Sequence, residues 1–264
     1  MTWFEALILG LLQGLTEFFP ISSSGHIEIG KVLFSIQSED NLIFSVIVHA
    51  ATMLSIIVIF YKDIAELIAG VLRFKWNNET KYLTLIVVSM VPVGIVGLLF
   101  EDYIEHFFEG RLVLVGFMLL ITAALLLATR LSPKNIKELG FVYAIIIGIS
   151  QTIAILPGIS RSGATISTAL LLGVERKKAI RFSFLMVLPP IAGATFIKIT
   201  AMASEPTAYN ADFLPLAIGF VAAFVAGLIA CRWMIGLVQR GNIAWFSIYC
   251  VVVGALAIAL GAFF

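Results

Sequence analysis

Two stretches decide the fold: Phe19-Pro20-Ile21-Ser22-Ser23-Ser24-Gly25-His26 and Leu156-Pro157-Gly158-Ile159-Ser160-Arg161-Ser162-Gly163. Each interrupts an otherwise apolar segment, residues 3–33 and 139–173. Proline and glycine break a helix, and serine is a preferred residue for starting the next one, so each segment reads as helix, loop, helix. The second helix of each is short. About ten to twelve residues at about 1.5 Å each cover roughly half of a ~30 Å hydrocarbon core. Each segment is therefore expected to enter a bilayer and return on the same side.

The rest of the chain supports a lipid solvent. Of its 264 residues 61% are hydrophobic and only 12% charged, with mean hydropathy +1.07, which excludes an ordinary soluble enzyme. Six further stretches are long and apolar enough to cross a membrane: 42–60, 82–100, 112–130, 181–199, 213–231 and 243–262. A formal charge of +1 carries no nucleic-acid footprint, and no nucleic-acid partner is expected. Cys231 and Cys250 have no metal-site or disulfide spacing and read as small buried hydrophobes. The start, Met1-Thr2-Trp3-Phe4-Glu5, lacks a basic region and a cleavage site, so it reads as retained structure.

With both broken segments re-entrant, the chain changes sides only at the six spans. One side then carries thirteen Lys or Arg, among them Lys62, Arg73, Lys134, Arg176, Lys177, Lys178, Arg181, Arg232 and Arg240. The other carries Lys31, Arg111 and Lys198 beside acids that include Glu101, Asp102, Glu105 and Glu109. The basic side is expected to be cytoplasmic, with both termini outward. The same separation arises if both broken segments span; their short second arms favour re-entrance.

Sliding the chain over itself by 138 residues places Gly10 on Gly148, Gln13 on Gln151, Ser22 on Ser160, Ser24 on Ser162, Gly25 on Gly163 and Phe44-Ser45 on Phe182-Ser183. This is read as an internal duplication, residues 3–130 and 139–262 of a single membrane domain 1–264. Three spans lie between the copies, and an odd number inverts the second. The fold class expected is an all-α polytopic membrane protein with six spans and two re-entrant hairpins in an inverted-topology repeat. The two loops should meet inside the bilayer, where irregular backbone is tolerated only against protein or a wet cavity.

The few ionisable groups of the apolar regions fall on these hairpins: Glu17, His26, Glu28 and Arg161, with His49 nearby in the first span. Gln13 and Glu17 share a helix face before the turn that carries Ser22, Ser23, Ser24, Gly25 and His26. Arg161 comes from the opposite loop with Ser160, Ser162, Gly163 and Thr165, and a guanidinium with hydroxyls and a helix N-terminus binds phosphate oxygens well. In a phosphoryl-transfer site Arg161 grips the phosphoryl groups, Ser23 or a water attacks, His26 moves the proton, and Glu17 with Gln13 holds a divalent cation or orients the base. A blander reading stays open. Arg161 would only neutralise Glu17 and staple the hairpins, the serines would satisfy backbone, and Glu28 would be structural or pore-lining.

The run Gln13-x-x-x-Glu17 and Pro20-Ile21-Ser22-Ser23-Ser24-Gly25-His26, together with Pro157-Gly158-Ile159-Ser160-Arg161-Ser162-Gly163-Ala164-Thr165, resembles the undecaprenyl-diphosphatase family, the bacitracin-resistance integral membrane phosphatases. The resemblance runs from Leu7 to the last span. It implies removal of the terminal phosphate from undecaprenyl diphosphate at an outward-facing site, which recycles the lipid carrier of bacterial wall synthesis. It also implies dependence on a divalent cation, Mg or Ca. Carried over, the acidic motif falls on Gln13 and Glu17, the serine and histidine on Ser23 and His26, and the arginine on Arg161. Ser23 with His26 as its base is the preferred pairing. His49 departs from the Gln common in relatives.

The isoprenoid diphosphate and membrane lipid are the partners expected, and a homodimer is compatible with the sequence. The rival is an isoprenyl-phosphate transporter or flippase using the same inverted-repeat phosphate site, since broken helices meeting inside the membrane are the architecture of secondary transporters.

Overall fold

The computed structural model describes residues 1–34, 41–100, 111–133, 135–204 and 213–262. The acidic loops 101–109 and 205–212 and Lys134 lie outside these, as does the side chain of Lys198. Among the described residues the chain is all-helical, with a single isolated bridge between Lys137 and Val174.

Helix α1 (Trp3–Phe18) starts on a capping box, in which Thr2 Oγ1 accepts from the Glu5 N–H and Glu5 Oε2 from the Thr2 N–H. It ends where Pro20 withholds an N–H. Helix α2 (Ser23–Phe34) folds back along it, with Gly30 against Leu9 and Leu12. Next come α3 (Asn41–Ile59), α4 (Tyr61–Val71), α5 (Asn78–Leu99) and α6 (Leu112–Ala128). The second broken segment forms α7 (Phe141–Ile153) and α8 (Arg161–Leu171), tied by Thr168 Oγ1 donating to Ser150 Oγ at 3.0 Å. Helices α9 (Arg176–Met186), α10 (Leu188–Ser204), α11 (Phe213–Gln239) and α12 (Phe246–Gly261) complete the chain. Both return arms are short, 12 residues in α2 and 11 in α8.

Among the described residues five helical segments are long and apolar enough to cross a membrane, and there are six if α3 and α4 together count as one broken span. At 19 residues α3 is about 28 Å long. It then bends by 76° into α4, which sequence reading did not separate from a loop. Helix α4 sets Lys62, Asp63 and Glu66 beside exposed Tyr61 and Ile68, the makeup of a helix lying at an interface. Two span limits also differ from expectation. The 181–199 stretch is two helices broken at Val187, ahead of Pro189 and Pro190, which have no N–H to continue the ladder; the Leu185 carbonyl takes the Val187 N–H instead. Helix α11 runs on to Gln239, and exposed Arg232, taken as a loop residue, lies inside it, because a long side chain can carry its charge away from an apolar face.

The two halves pack about an approximate twofold. Helices α6 and α12 occupy corresponding places in the repeat and run antiparallel, Gly261 against Leu112 and Val113, Gly116 against Gly254 and Ile258. A Cβ on Gly116 would lie 2.6 Å from the Gly254 carbonyl oxygen, and one on Gly254 2.9 Å from that of Gly116. Those glycines are 138 positions apart. Contacts between the loops come in matching pairs as well: Gly25 faces Gly158, and Gly163 faces Pro20, the same pair shifted by 138. Reciprocal contacts of this kind are what a twofold axis generates, and antiparallel equivalent helices make the repeat an inverted one. Cys231 and Cys250 are free and buried in the core.

Candidate active site

The site lies where the two loops meet. Ser160 caps α8 in an extended conformation, its Oγ accepting the Gly163 N–H at 3.1 Å. Ser22 Oγ accepts the Gly25 N–H at 3.2 Å at the start of α2, from a left-handed backbone. Gly25 and Gly163 are small because the opposite loop passes at the distance of a side chain: a Cβ at Gly25 would lie 3.1 Å from the Gly158 Cα. Ser22 and Ser24 pair through their hydroxyls at 3.2 Å, Ser160 and Ser162 at 3.3 Å, and Ser162 Oγ donates across the interface to the Phe19 carbonyl at 3.3 Å. Thr165 Oγ1 donates back to the Arg161 carbonyl. These residues build the walls.

At the centre is Glu17, whose side chain is 7% exposed. Its Oε1 takes the Arg161 guanidinium, which arrives from the opposite hairpin. Its Oε2 accepts from Ser23 Oγ at 2.6 Å and from Gln13 Nε2 at 2.9 Å, the i, i+4 spacing having put Gln13 on the same face. The His49 imidazole, anchored by Nδ1 to the Ser45 carbonyl at 2.8 Å, lies within electrostatic reach of Glu17. A cavity of about 10 Å³, room for one water, adjoins Glu17, Arg161, Ser162, Thr165 and Ser183. The Ser183 hydroxyl is buried there without a partner.

One expectation is corrected, and one open reading, that of Glu28, falls on the structural side. His26 is not paired with Ser23: its Nδ1 lies 2.8 Å from the Ser22 carbonyl oxygen and its Nε2 2.8 Å from the Tyr249 hydroxyl. The group in contact with Ser23 is Glu17, because the first turn of α2 points Ser23 toward α1 while the imidazole, a turn later, meets α12. Glu28 does not join the cluster either; it is buried in an ion pair with Lys31 at 2.7 Å.

The donor set does not fit a resident divalent cation. Both Glu17 oxygens are engaged, its charge is matched by Arg161, and among the described residues of the site the open oxygens are those of an amide and a hydroxyl, Gln13 Oε1 and Ser183 Oγ. Among the described residues no group of three or more His, Cys, Asp or Glu could hold a metal ion. Hard cations take several oxygen ligands and more than one amide oxygen beside a neutralised carboxylate.

Sequence reading missed Tyr249, Thr122 and Ser183. Thr122 Oγ1 donates to the Gly158 carbonyl and accepts the Ser160 N–H, both at 3.1 Å, and so fixes the second loop. Tyr249 and Thr122 sit on apolar helices, Ser183 on α9 beside Arg181, and none follows a motif. The 138-residue offset, which matches Ser183 to Ser45, was the one available signal.

Residues 6–256 match the family model described as Bacitracin resistance protein BacA. A protein of Christiangramia forsetii named undecaprenyl-diphosphatase is 53% identical over 260 residues, covering 98% of each chain. Proteins with the same name from Parabacteroides distasonis and Bacteroides thetaiotaomicron are each 48% identical, again over 98% of both chains. A family model matched almost end to end, with relatives about half identical over nearly their whole length, places this chain in the bacitracin resistance protein BacA family.

Proposed function

We propose that this membrane protein hydrolyses undecaprenyl diphosphate to undecaprenyl phosphate and inorganic phosphate, with Ser23 as nucleophile and Glu17 as its base. The observation that carries this reading is the Glu17 carboxylate bound at once by Ser23 Oγ and by Arg161 from the opposed hairpin. Phosphoryl transfer needs a nucleophile, a base within hydrogen-bond reach of it, and positive charge around the equatorial oxygens. Ser23 Oγ at 2.6 Å from Glu17 meets the first two needs. Arg161 and the N–H groups opening α2 and α8 meet the third.

In the proposed sequence the terminal phosphate enters between the loops, shares the Arg161 guanidinium with Glu17, and widens the one-water cavity. Ser23 Oγ passes its proton to Glu17 and attacks the terminal phosphorus. The anhydride P–O bond breaks and its electron pair leaves on undecaprenyl phosphate. Glu17 gives that proton up as undecaprenyl phosphate departs, and its restored carboxylate then takes a proton from the water that attacks the phosphoserine phosphorus; the P–O bond to Ser23 breaks, Glu17 returns the proton to Ser23 Oγ, and inorganic phosphate leaves. Gln13 orients Glu17 through its Nε2, and Ser160, Ser162 and Thr165 hold the loop that presents Arg161. No step is assigned to a metal ion.

The site is read as opening outward from the bacterial inner membrane, with both termini outward; the one-sided placement of Lys and Arg supports this. The carrier reading is not favoured, since the relatives compared are named for the diphosphatase reaction. The test is phosphate release by purified protein from undecaprenyl diphosphate in detergent, for the unsubstituted chain and for Glu17→Gln, Ser23→Ala and Arg161→Ala. Steady release that each change abolishes is expected. Lipid transfer across vesicles without release, or full activity of Ser23→Ala, overturns the proposal.

A further inference from the structure

Tyr249 belongs to none of the motifs, yet its hydroxyl ends a chain of contacts that leads back to Ser23. His26 is buried on α2, with Nδ1 at 2.8 Å from the Ser22 carbonyl oxygen and Nε2 at 2.8 Å from the Tyr249 hydroxyl. The two rings lie 8° from parallel. A carbonyl only accepts, so Nδ1 carries the proton, and in the neutral ring Nε2 then accepts from the phenol. Both ring nitrogens are engaged, and Ser23 Oγ donates elsewhere, to Glu17.

The two halves of the molecule act as an internal control. Ile21-Ser22-Ser23-Ser24-Gly25 and Ile159-Ser160-Arg161-Ser162-Gly163 share a pattern, and both capping serines accept the glycine N–H three residues on. Their backbones differ. Ser160 is extended, φ −74°, and its carbonyl takes the Ala164 N–H at 2.7 Å. Ser22 is left-handed, φ +69°, a conformation unfavourable for any residue with a side chain. Its carbonyl faces the His26 N–H at 3.2 Å and Nδ1 at 2.8 Å. His26 stands where the second half has Ala164. The left-handed turn occurs in the half with the imidazole, and that half carries the hydroxyl that reaches Glu17.

We infer that Tyr249 is a positioning residue: its hydroxyl fixes the His26 ring, which clamps the Ser22 carbonyl and holds the left-handed turn that aims Ser23 Oγ at Glu17. The inference rests on the roles proposed for Ser23 and Glu17. It makes His26 a brace and leaves proton transfer to Glu17.

The test uses the full chain in detergent with undecaprenyl diphosphate. Tyr249→Phe keeps the ring and loses the hydroxyl, and kcat is expected to fall about tenfold with KM unchanged. His26→Asn puts an amide N–H where Nδ1 was and should regain most of the activity that His26→Ala loses. His26→Gln, whose amide falls at the Nε2 position, should not. Adding Tyr249→Phe to His26→Asn should cost nothing further. In the unsubstituted protein the nitrogen NMR spectrum of His26 should be that of a neutral ring protonated on Nδ1, a reading that needs no variant to fold. Wild-type kcat in Tyr249→Phe, a His26→Asn variant as inactive as His26→Ala, or a ring protonated on Nε2 overturns the inference. Full activity in Ser23→Ala would instead sink the underlying roles, whatever the tautomer.

Discussion

Ser23 and Arg161 occupy the same place in the two halves of the molecule: each is the first residue of its half-helix, they are 138 positions apart, and both donate to the single carboxylate of Glu17. A duplicated hairpin would present two like residues to one point. Here the halves have diverged to a hydroxyl on one side and a guanidinium on the other, with the positive ends of two helix dipoles behind them. That asymmetry turns a symmetric junction into a site with a nucleophile side and a grip side.

Glu17→Gln keeps the side chain's shape but cannot accept a proton from Ser23. Its kcat for phosphate release should fall at least about a hundredfold. The variant should also melt at a lower temperature, because Arg161 loses the charge it faces in a largely buried pair. Phosphate release and thermal unfolding in the same detergent check both outcomes.

Arg161→Lys retains the charge and loses the planar fork. A point charge holds phosphate oxygens less specifically than a guanidinium, so kcat/KM should drop by roughly tenfold or more, and Arg161→Ala should drop further. Steady-state kinetics across substrate concentrations separates the two.

Gly116→Ala puts a methyl 2.5 Å from Ile258 Cγ1 and 2.6 Å from the Gly254 carbonyl, at the point where α6 and α12 come closest. The helices must part, at a cost of about 1–3 kcal/mol, seen as a lower melting temperature. Gly94→Ala on α5, where the new methyl meets nothing within 4 Å, should leave stability unchanged or slightly raised.

Gln13→Glu places a second carboxylate one helical turn from Glu17, against a single guanidinium. Two acids there make a better seat for a hard cation than an acid and an amide. The variant should bind Mg²⁺ measurably by calorimetry where the unsubstituted chain does not, and chelator should lower the melting temperature of the variant while leaving that of the parent unchanged.

The cast of the site was legible early. Gln13, Glu17, Ser23 and Arg161 stand out because ionisable and amide groups are rare in apolar helices, and the fixed offset showed that the two loops would meet. Pairings were less legible. The sequence places His26 near Ser23, three residues apart, but a left-handed Ser22 and a phenol from α12 draw the ring away, and no spacing rule contains either. The bend at Phe60 and the extra length of α11 escaped notice for a related reason: hydropathy marks apolar runs, and helices continue past them wherever long polar side chains can turn outward.

The solvent, the all-helical class, the two broken segments and the pattern they share could be read from the chain alone, because they follow from composition and from local rules of helix stopping and starting. Which groups touch is settled by packing. Ser23 reaching Glu17, Arg161 crossing from the opposite hairpin and Tyr249 holding His26 across 223 residues are distances between segments far apart in the chain. Such distances are set by how closely the glycine-bearing helices pack, a property of the whole fold and of no single stretch.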